Sequence, residues 1–387
     1  MSGNRHYLDW NASAPLRPEA RDAMIAALSV AGNPSSVHAE GRAAAMTLAT
    51  ARDKVARLAG AASDRVTFTS GGTEANALAV RPDLYDRIII SAVEHESVLG
   101  AARSGAAEVV EIPVDTAGRV DLAALEKLLE TGEGRRTLVS VMAANNEIGT
   151  LQPVAQVADL ARAHGATSHC DAVQALGKVP LTLDALGVDM MSISAHKIGG
   201  PKGVGALVLR SGFDIAPRQV GGGQERNRRA GTENLAGIAG FGAAAEAALA
   251  GFAEWGRIAR LRDRLEEFVI GLGPDGNVAP VVLRPPERLT NTASIALPGM
   301  KAETVVMMLD LAGVAVSAGA ACSSGKVRAS HVLTAMGLPT DITTAGIRVS
   351  LGWTSDEADI DAFCTAWRDV DRRWRTARNA KNERQVA

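Results

Sequence analysis

Met190-Met191-Ser192-Ile193-Ser194-Ala195-His196-Lys197-Ile198-Gly199-Gly200-Pro201 carries a short apolar run into a Gly/Pro loop, with one lysine at the junction. A continuous apolar run of this length predicts a strand covered on both faces, the signature of a parallel sheet. The lysine at its end has two readings. One is an amine snorkelling to water at a strand terminus. The other is an amine that loses its proton and condenses with an aldehyde. Other segments decide between them.

The same pattern recurs on either side. Val66–Thr69, Arg87–Ser91, Glu108–Ile112, Thr137–Met142, Thr167–Cys170 and Val204–Leu209 read as further short strands. Amphipathic segments Glu74–Val80, Leu122–Glu130 and Val154–His164 lie between several of them. The expected fold class is therefore α/β, a large domain with a mostly parallel sheet. In such sheets ligands collect beyond the strands' C-terminal ends, and the segments starting at Ser70, His95, Asn145, Asp171 and His196 all fall there. An Ala-rich helix is expected from about residue 233 to Phe252, and a charged one from Trp255 to about Ile270. Strands Thr292–Leu297 and Ile347–Leu351 with helices Glu303–Leu311 and Asp356–Arg375 predict a smaller α+β domain. The expected division is a large domain over 15–255 and a small one over 1–14 and 256–387. The Arg-rich tail after Trp367 reads as a solvated helix with a frayed end.

With 387 residues, 47% of them apolar, the chain buries a large core. A net charge of −2 advertises neither nucleic acid nor a membrane surface. No stretch has the length and apolarity of a membrane helix, and the first residues lack a signal peptide's apolar core. Cys170, Cys322 and Cys364 are scattered and odd in number, which predicts a reduced cytoplasm rather than a disulfide framework. None has the spacing of a structural zinc site.

Ser70-Gly71-Gly72-Thr73-Glu74 follows a strand and opens a helix. Glycines let backbone N–H groups approach an anion, and a helix start adds free donors and a favourable dipole. Thr73 is expected to cap the helix and offer its hydroxyl. Neither a Walker loop nor a dinucleotide fingerprint is present, so a monophosphate cup competes with an ordinary Gly-rich turn. Asp171, just past a buried strand, suits the protonated ring nitrogen of pyridoxal 5′-phosphate (PLP), which needs an anionic partner in a dry site; a helix N-cap is the plainer reading. Gln174 would then reach the ring's phenolic oxygen. His95, in Glu94-His95-Glu96-Ser97, either lies on the pyridine face and moves protons or simply hydrogen-bonds at a helix start. Arg348, in an otherwise apolar strand, needs a partner: a substrate carboxylate or an internal salt bridge. Cys322 sits in Ala320-Ala321-Cys322-Ser323-Ser324-Gly325-Lys326, a small-residue setting suited to a thiolate that approaches a substrate and withdraws, with Lys326 and Arg328 nearby to lower its pKa. Cys170 and Cys364 read as buried and inert.

These parts, in this order, resemble the NifS/IscS-type cysteine desulfurases, in the class V branch of the aspartate-aminotransferase-like PLP fold. The resemblance runs from Tyr7-Leu8-Asp9 to Arg348-Val349-Ser350-Leu351-Gly352. Its most specific stretches are Gly32-Asn33-Pro34-Ser35-Ser36-Val37-His38, Asn145-Asn146-Glu147-Ile148-Gly149-Thr150, Ser194-Ala195-His196-Lys197, Arg229-Ala230-Gly231-Thr232-Glu233-Asn234 and Ala320-Ala321-Cys322-Ser323-Ser324. It implies that Lys197 binds PLP covalently and that Gly72, Thr73, Ser194 and His196 bind its phosphate. Thr232 would reach the phosphate of a neighbouring subunit, hence a homodimer. Asp171 would hold the ring nitrogen, Gln174 and Asn146 the phenolic side, and His95 the ring face. Arg348, with Asn11 nearby, would take the carboxylate of L-cysteine. Cys322 would accept the sulfur as a persulfide, releasing L-alanine, for an iron–sulfur scaffold protein or another sulfur acceptor. Cys322 is also the candidate for a transient iron–sulfur ligand. Where relatives read Asp-Asn-Asn-Ala-Thr, this chain has Asp9-Trp10-Asn11-Ala12-Ser13. A class V aminotransferase would not need Cys322, whereas a selenocysteine lyase would use the same machinery.

Overall fold

The computed structural model describes residues 5–132, 134–274, 279–319 and 329–386, with the side chains of 379–386 left aside. Seven strands form the main sheet, in the order Val66–Thr69, Gly205–Leu209, Met190–Ser194, Thr167–Asp171, Thr137–Ser140, Arg87–Ser91, Glu108–Ile112. All neighbours run parallel except Gly205–Leu209, which is antiparallel to both of its partners. Every residue of Val66–Thr69, Arg87–Ser91, Met190–Ser194 and Gly205–Leu209 is buried, which accounts for their largely apolar pattern and also encloses the polar residues among them, such as Thr67 and Ser192. In this register Asp171 pairs with Ser192 and Ser194 with Gly205, so Asp171 and Ser194 end adjacent strands.

Helix Leu235–Ala250 packs against helices Pro18–Leu28 and Ala39–Ala59, closing one face of the sheet. The last two were not expected from sequence. Their start signals are a proline in the first turn of one and His38 capping the other, its ring accepting from Gly41 N. The second sheet is antiparallel, in the order Ser317–Ala318, Gly346–Ser350, Thr292–Ala296, Val281–Leu283. His6–Tyr7 pairs in parallel with Val314–Ala315, and Asp9 bridges to Ser350, so the chain's start is stitched to its last third. Among the described residues no single helix is long and apolar enough to cross a membrane. The C-terminal helix runs from Glu357 to Val386, beyond the expected end at Arg375. No glycine or proline interrupts it, and an Asp371–Arg375 i,i+4 pair supports the turn at the expected end.

A strained turn braces the edge of the main sheet. Glu225, Arg226 and Asn227 have φ of 46°, 57° and 64°, a left-handed run that L-residues avoid. The turn drives the Glu225 carboxylate inward, where Arg52 grips it at 2.6 and 2.7 Å and Phe68 N donates at 2.9 Å. Both side chains are almost fully buried. Removing one partner strands a buried charge, so Arg52→Met is expected to cost about 3–5 kcal/mol. A urea unfolding midpoint compared with wild type measures it; a loss below about 1 kcal/mol would contradict the buried pair.

Candidate active site

A cavity of about 210 Å³ opens at the C-terminal ends of the parallel strands. Gly72, Thr73, His95, Asn146, Asp171, Gln174, Ser194, His196 and Lys197 all line it, nine of the residues singled out from sequence. Asn76 and Ser97 line it too, and neither was foreseen.

Lys197 Nζ donates to the Asn11 carbonyl at 2.5 Å and the Ala12 carbonyl at 3.0 Å. Its pKa is pushed down to about 8, first by burial and then by the Arg348 cation, against the opposing pull of Asp171 and Asp9. Each unit is tenfold, so about a tenth of these amines are neutral at pH 7, against roughly one in three thousand for an ordinary lysine. Asp171 stands opposite with a donor on each oxygen: Val173 N on Oδ1 at 2.9 Å and Asn76 Nδ2 on Oδ2 at 2.7 Å. His196 is pushed down to about 4 by burial and by Lys197 and Lys202, so it adds no positive charge near neutrality.

One end of the cavity is formed by an open helix start and an unpartnered hydroxyl. A Cβ at Gly72 would meet Val173 Cγ2 at 2.9 Å, so only glycine leaves this helix start open to the cavity. Ser194 Oγ is buried and, among the described residues, has no hydrogen-bond partner. The helix Gly72–Ala79 is capped by no side chain; Thr73 lies inside its first turn, contrary to its expected capping role. Glycine at the N-cap leaves those N–H groups free. A free helix start, an orphaned hydroxyl, a lysine of depressed pKa and a carboxylate in one cavity fit PLP.

His95 does cap its helix, Nδ1 accepting from Ser97 N at 3.1 Å, yet its ring also borders the cavity. The helix-start hydrogen bond is therefore present, and the ring is placed at the cavity as well. Asp171 caps no helix: it ends its strand and accepts from Val173 in a turn.

Three of the singled-out residues, Arg348, Asn11 and Thr232, lie away from the lining. Arg348 is buried and forms the salt bridge that sequence left open, to Asp9 at 2.7 Å, while also donating to Asn146 O at 2.9 Å. Asn11 is fully buried and spends its side chain on Thr292, Lys178 and Asn291, with a longer 3.4 Å bond from Nδ2 to the carbonyl of the cavity residue Asn146. Thr232 is exposed and outside the cavity. Cys322, with its candidate iron–sulfur role, lies outside the described residues, as do Lys326 and Arg328. Cys170 and Cys364 are buried and free, and burial raises both thiol pKa values.

Sequence reasoning missed Lys178. It is fully enclosed and donates to Asn11 Oδ1 at 2.8 Å and to Gln174 Oε1 at 2.9 Å. Lysine has no acceptor, so Gln174 must turn its oxygen toward Lys178 and its N–H groups elsewhere, one of them to Asn11 O at 3.0 Å. The available signal was spacing: Lys178 follows Gln174 by four residues. Trp10, the departure from the expected opening motif, is buried against Trp353 at 4.6 Å and donates to Tyr7 O. A Cβ at Gly352 would lie 1.9 Å from its ring, so Gly352 makes the space Trp10 fills.

Residues 6–363 match the family model for class V aminotransferases, and the chain belongs to that family. It is 47% identical over 368 residues to a cysteine desulfurase of Cereibacter sphaeroides, covering 92% of this chain and 93% of that protein. Among solved structures, a NifS-like protein from Rickettsia africae superposes with a TM-score of 0.87 at 36% identity, over 95% of this chain and 99% of that one. SspA in complex with cysteine superposes with a TM-score of 0.75 at 27% identity, over 89% and 98%.

In the cofactor-free chain, capture of an aldehyde by Lys197 is expected to speed up about tenfold per pH unit and level off above pH ~8. Arg348→Ala removes a cation that lowers this pKa, so its plateau should begin at higher pH. Absorbance stopped-flow with added PLP across pH 6–10 checks both. A profile still rising at pH 10 in wild type would refute the depressed amine.

Proposed function

We propose that the protein is a PLP-dependent cysteine desulfurase that moves the sulfur of L-cysteine onto Cys322 and releases L-alanine. One juxtaposition carries the reading. The Lys197 amine and the Asp171 carboxylate share a cavity with the orphaned Ser194 hydroxyl and the open helix start at Gly72. The similarity to cysteine desulfurases over more than nine-tenths of the chain supports the choice of substrate.

Lys197 would hold PLP covalently, with Asp171 at the ring nitrogen and His95 against the ring. Gly72, Thr73, Ser194 and His196 would take the phosphate, and Gln174 with Asn146 the phenolic side. PLP, when bound, supplies an aldehyde carbon that captures amines and an electron-poor ring. An amine titrating near 8 is matched to taking and returning a proton at the substrate Cα at working pH. The substrate carboxylate would compete with Asp9 for the Arg348 guanidinium.

The attachment points of the Cys322 segment support its role. A Cβ at Gly319 would lie 2.9 Å from Glu147 Oε2, and Ser330 Oγ donates to that same oxygen at 2.6 Å. Glu147 adjoins the cavity residue Asn146, and Cys322 is three residues beyond Gly319, a reach of at most about 10 Å. Its sulfur would attack the substrate sulfur: one S–S bond forms, the Cβ–S bond breaks, and a proton completes alanine. The persulfide then serves an iron–sulfur scaffold protein or another acceptor in the cytoplasm. The working unit is a homodimer in which Thr232 meets the neighbouring subunit's phosphate. The division into 15–255 and 1–14 with 256–387 remains part of this proposal.

The test is sulfide and alanine release from L-cysteine with reductant, for wild type and Cys322→Ala, both loaded with PLP. Loss of both products in the variant, by at least about a hundredfold and with an unchanged cofactor spectrum, is expected. Wild-type turnover in the variant would remove the persulfide step and favour a lyase or an aminotransferase.

A further inference from the structure

Asn76 sits in the helix Gly72–Ala79 and is 1% exposed. Its amide nitrogen donates in two directions, to Asp171 Oδ2 at 2.7 Å and to Ser97 Oγ at 2.8 Å. Ser97 Oγ in turn stands 2.8 Å from His95 Nδ1, and Ser97 N donates to the same ring nitrogen at 3.1 Å. The hydrogens along this chain follow from the chemistry of its ends. A carboxylate offers only acceptors, so the amide must point its N–H groups at Asp171; the flipped amide would set oxygen against oxygen. Both amide hydrogens are then committed. Ser97 receives one of them on its oxygen and keeps its own hydrogen for the remaining neighbour, His95 Nδ1. Nδ1 thus accepts from a hydroxyl and from a backbone N–H, and has no room for a hydrogen of its own. The proton of the neutral ring falls on Nε2, which has no hydrogen-bond partner among the described residues.

We propose that Asn76 is a positioning residue: it sets the direction of the chain Asp171–Asn76–Ser97–His95, so that His95 presents Nε2–H to the cavity as a donor. A ring in this form has no lone pair facing the cavity. It donates to an electron-rich group there and does not collect a proton, which leaves proton abstraction to Lys197. Groups facing His95 pull both ways. Partial loss of solvent lowers its pKa most, Lys197 and His331 lower it further, and Asp171 and Glu96 raise it; the net direction is down. That agrees with a ring held neutral. The inference goes beyond the desulfurase reading and does not depend on which substrate is turned over.

The experiment is histidine-selective nitrogen NMR on the full-length, PLP-loaded protein across pH 5–9. The chain has seven histidines, and a His95→Gln sample assigns the signal. Wild type is expected to show Nδ1 bare and Nε2 protonated. Ser97→Ala removes one donor to Nδ1, and Asn76→Ala frees Ser97 Oγ to accept from Nδ1–H. Each favours the protonated ring and mixes the tautomers. The titration midpoint should rise by roughly 0.5–1 unit in both, a three- to tenfold change in protonation constant. Ser97→Thr keeps the hydroxyl and should restore the wild-type pattern. A wild-type signal with hydrogen on Nδ1 overturns the proposal without any variant. So does a folded Asn76→Ala protein with unchanged tautomer and midpoint, since a packing role alone would leave His95's nitrogen shifts in place. Should Asn76→Ala fail to fold, Ser97→Ala carries the same two outcomes. Failure of cysteine turnover would leave these shifts unaffected, so the two readings fall separately.

Discussion

A buried amine must have acceptors, and the Asn11 carbonyl supplies one to Lys197 while also receiving Gln174. The rest of Asn11 is equally committed. Its N–H donates to Ser350 Oγ, its amide nitrogen to Thr292 Oγ1, and its amide oxygen accepts from Lys178 and Asn291. One residue near the chain's start therefore joins the main sheet's loops to two strands of the antiparallel sheet. Losing any of these partners would leave a buried polar group or charge unmet, at a cost of about 1–3 kcal/mol for a neutral group and more for an amine. This is the constraint that holds the cavity's amine in place and ties the N-terminal segment to both sheets.

Electrostatic balance follows from that network. Two amines, Lys178 and Lys197, and the Arg348 guanidinium are drawn close together, and each amine's pKa is lowered by burial and by its cationic neighbours. Asp9 and Asp171 offset them from opposite sides, the first by pairing with Arg348. Buried histidines stay out of the balance. His169 lies between Ser140 and Ser192 and is pushed down to about 3, and His196 to about 4, so neither is charged near neutrality. Glu94 is pushed up to about 8 by burial and holds the turn before His95 through Ser91 Oγ and Met142 N. The cavity thus keeps few full charges, each with a named partner.

Much of this was legible in the sequence where pattern and structure share one cause. Largely apolar runs marked the buried strands because both faces of those strands are covered, and Asp171, His95 and Lys197, which follow such runs, line one cavity. Direction was not legible: Gly205–Leu209 is as apolar as its parallel neighbours, and nothing in a period reveals that it runs the other way. Long-range partners were hidden too. Arg348 meets Asp9 across 339 positions, and no local signal announces the pair. Asn76 and Lys178 escaped notice because a polar residue amid small ones reads as surface until the fold buries it. Thr73 misled because threonine is a good cap in general, while this helix start is left open by Gly71 and Gly72.

Openness at that helix start and closure everywhere else belong to one design. The helix start at Gly72 and the Ser194 hydroxyl are left open to the cavity, whereas the donors around Asp171 and His95 are directed by side chains of the protein itself. Asn76 lies in the very helix whose first turn opens on the cavity, four residues on from Gly72. A shift of that helix would therefore move the anion site and the amide that orders Asp171 and His95 together. Trp10 acts likewise on the other wall: wedged against Gly352, it fixes the approach of Asn11 and so the carbonyl that receives Lys197. Rigid placement of both walls holds the Lys197 amine, its pKa lowered to about 8 by burial and by Arg348, on the Asn11 carbonyl, and holds the His95 ring on Ser97.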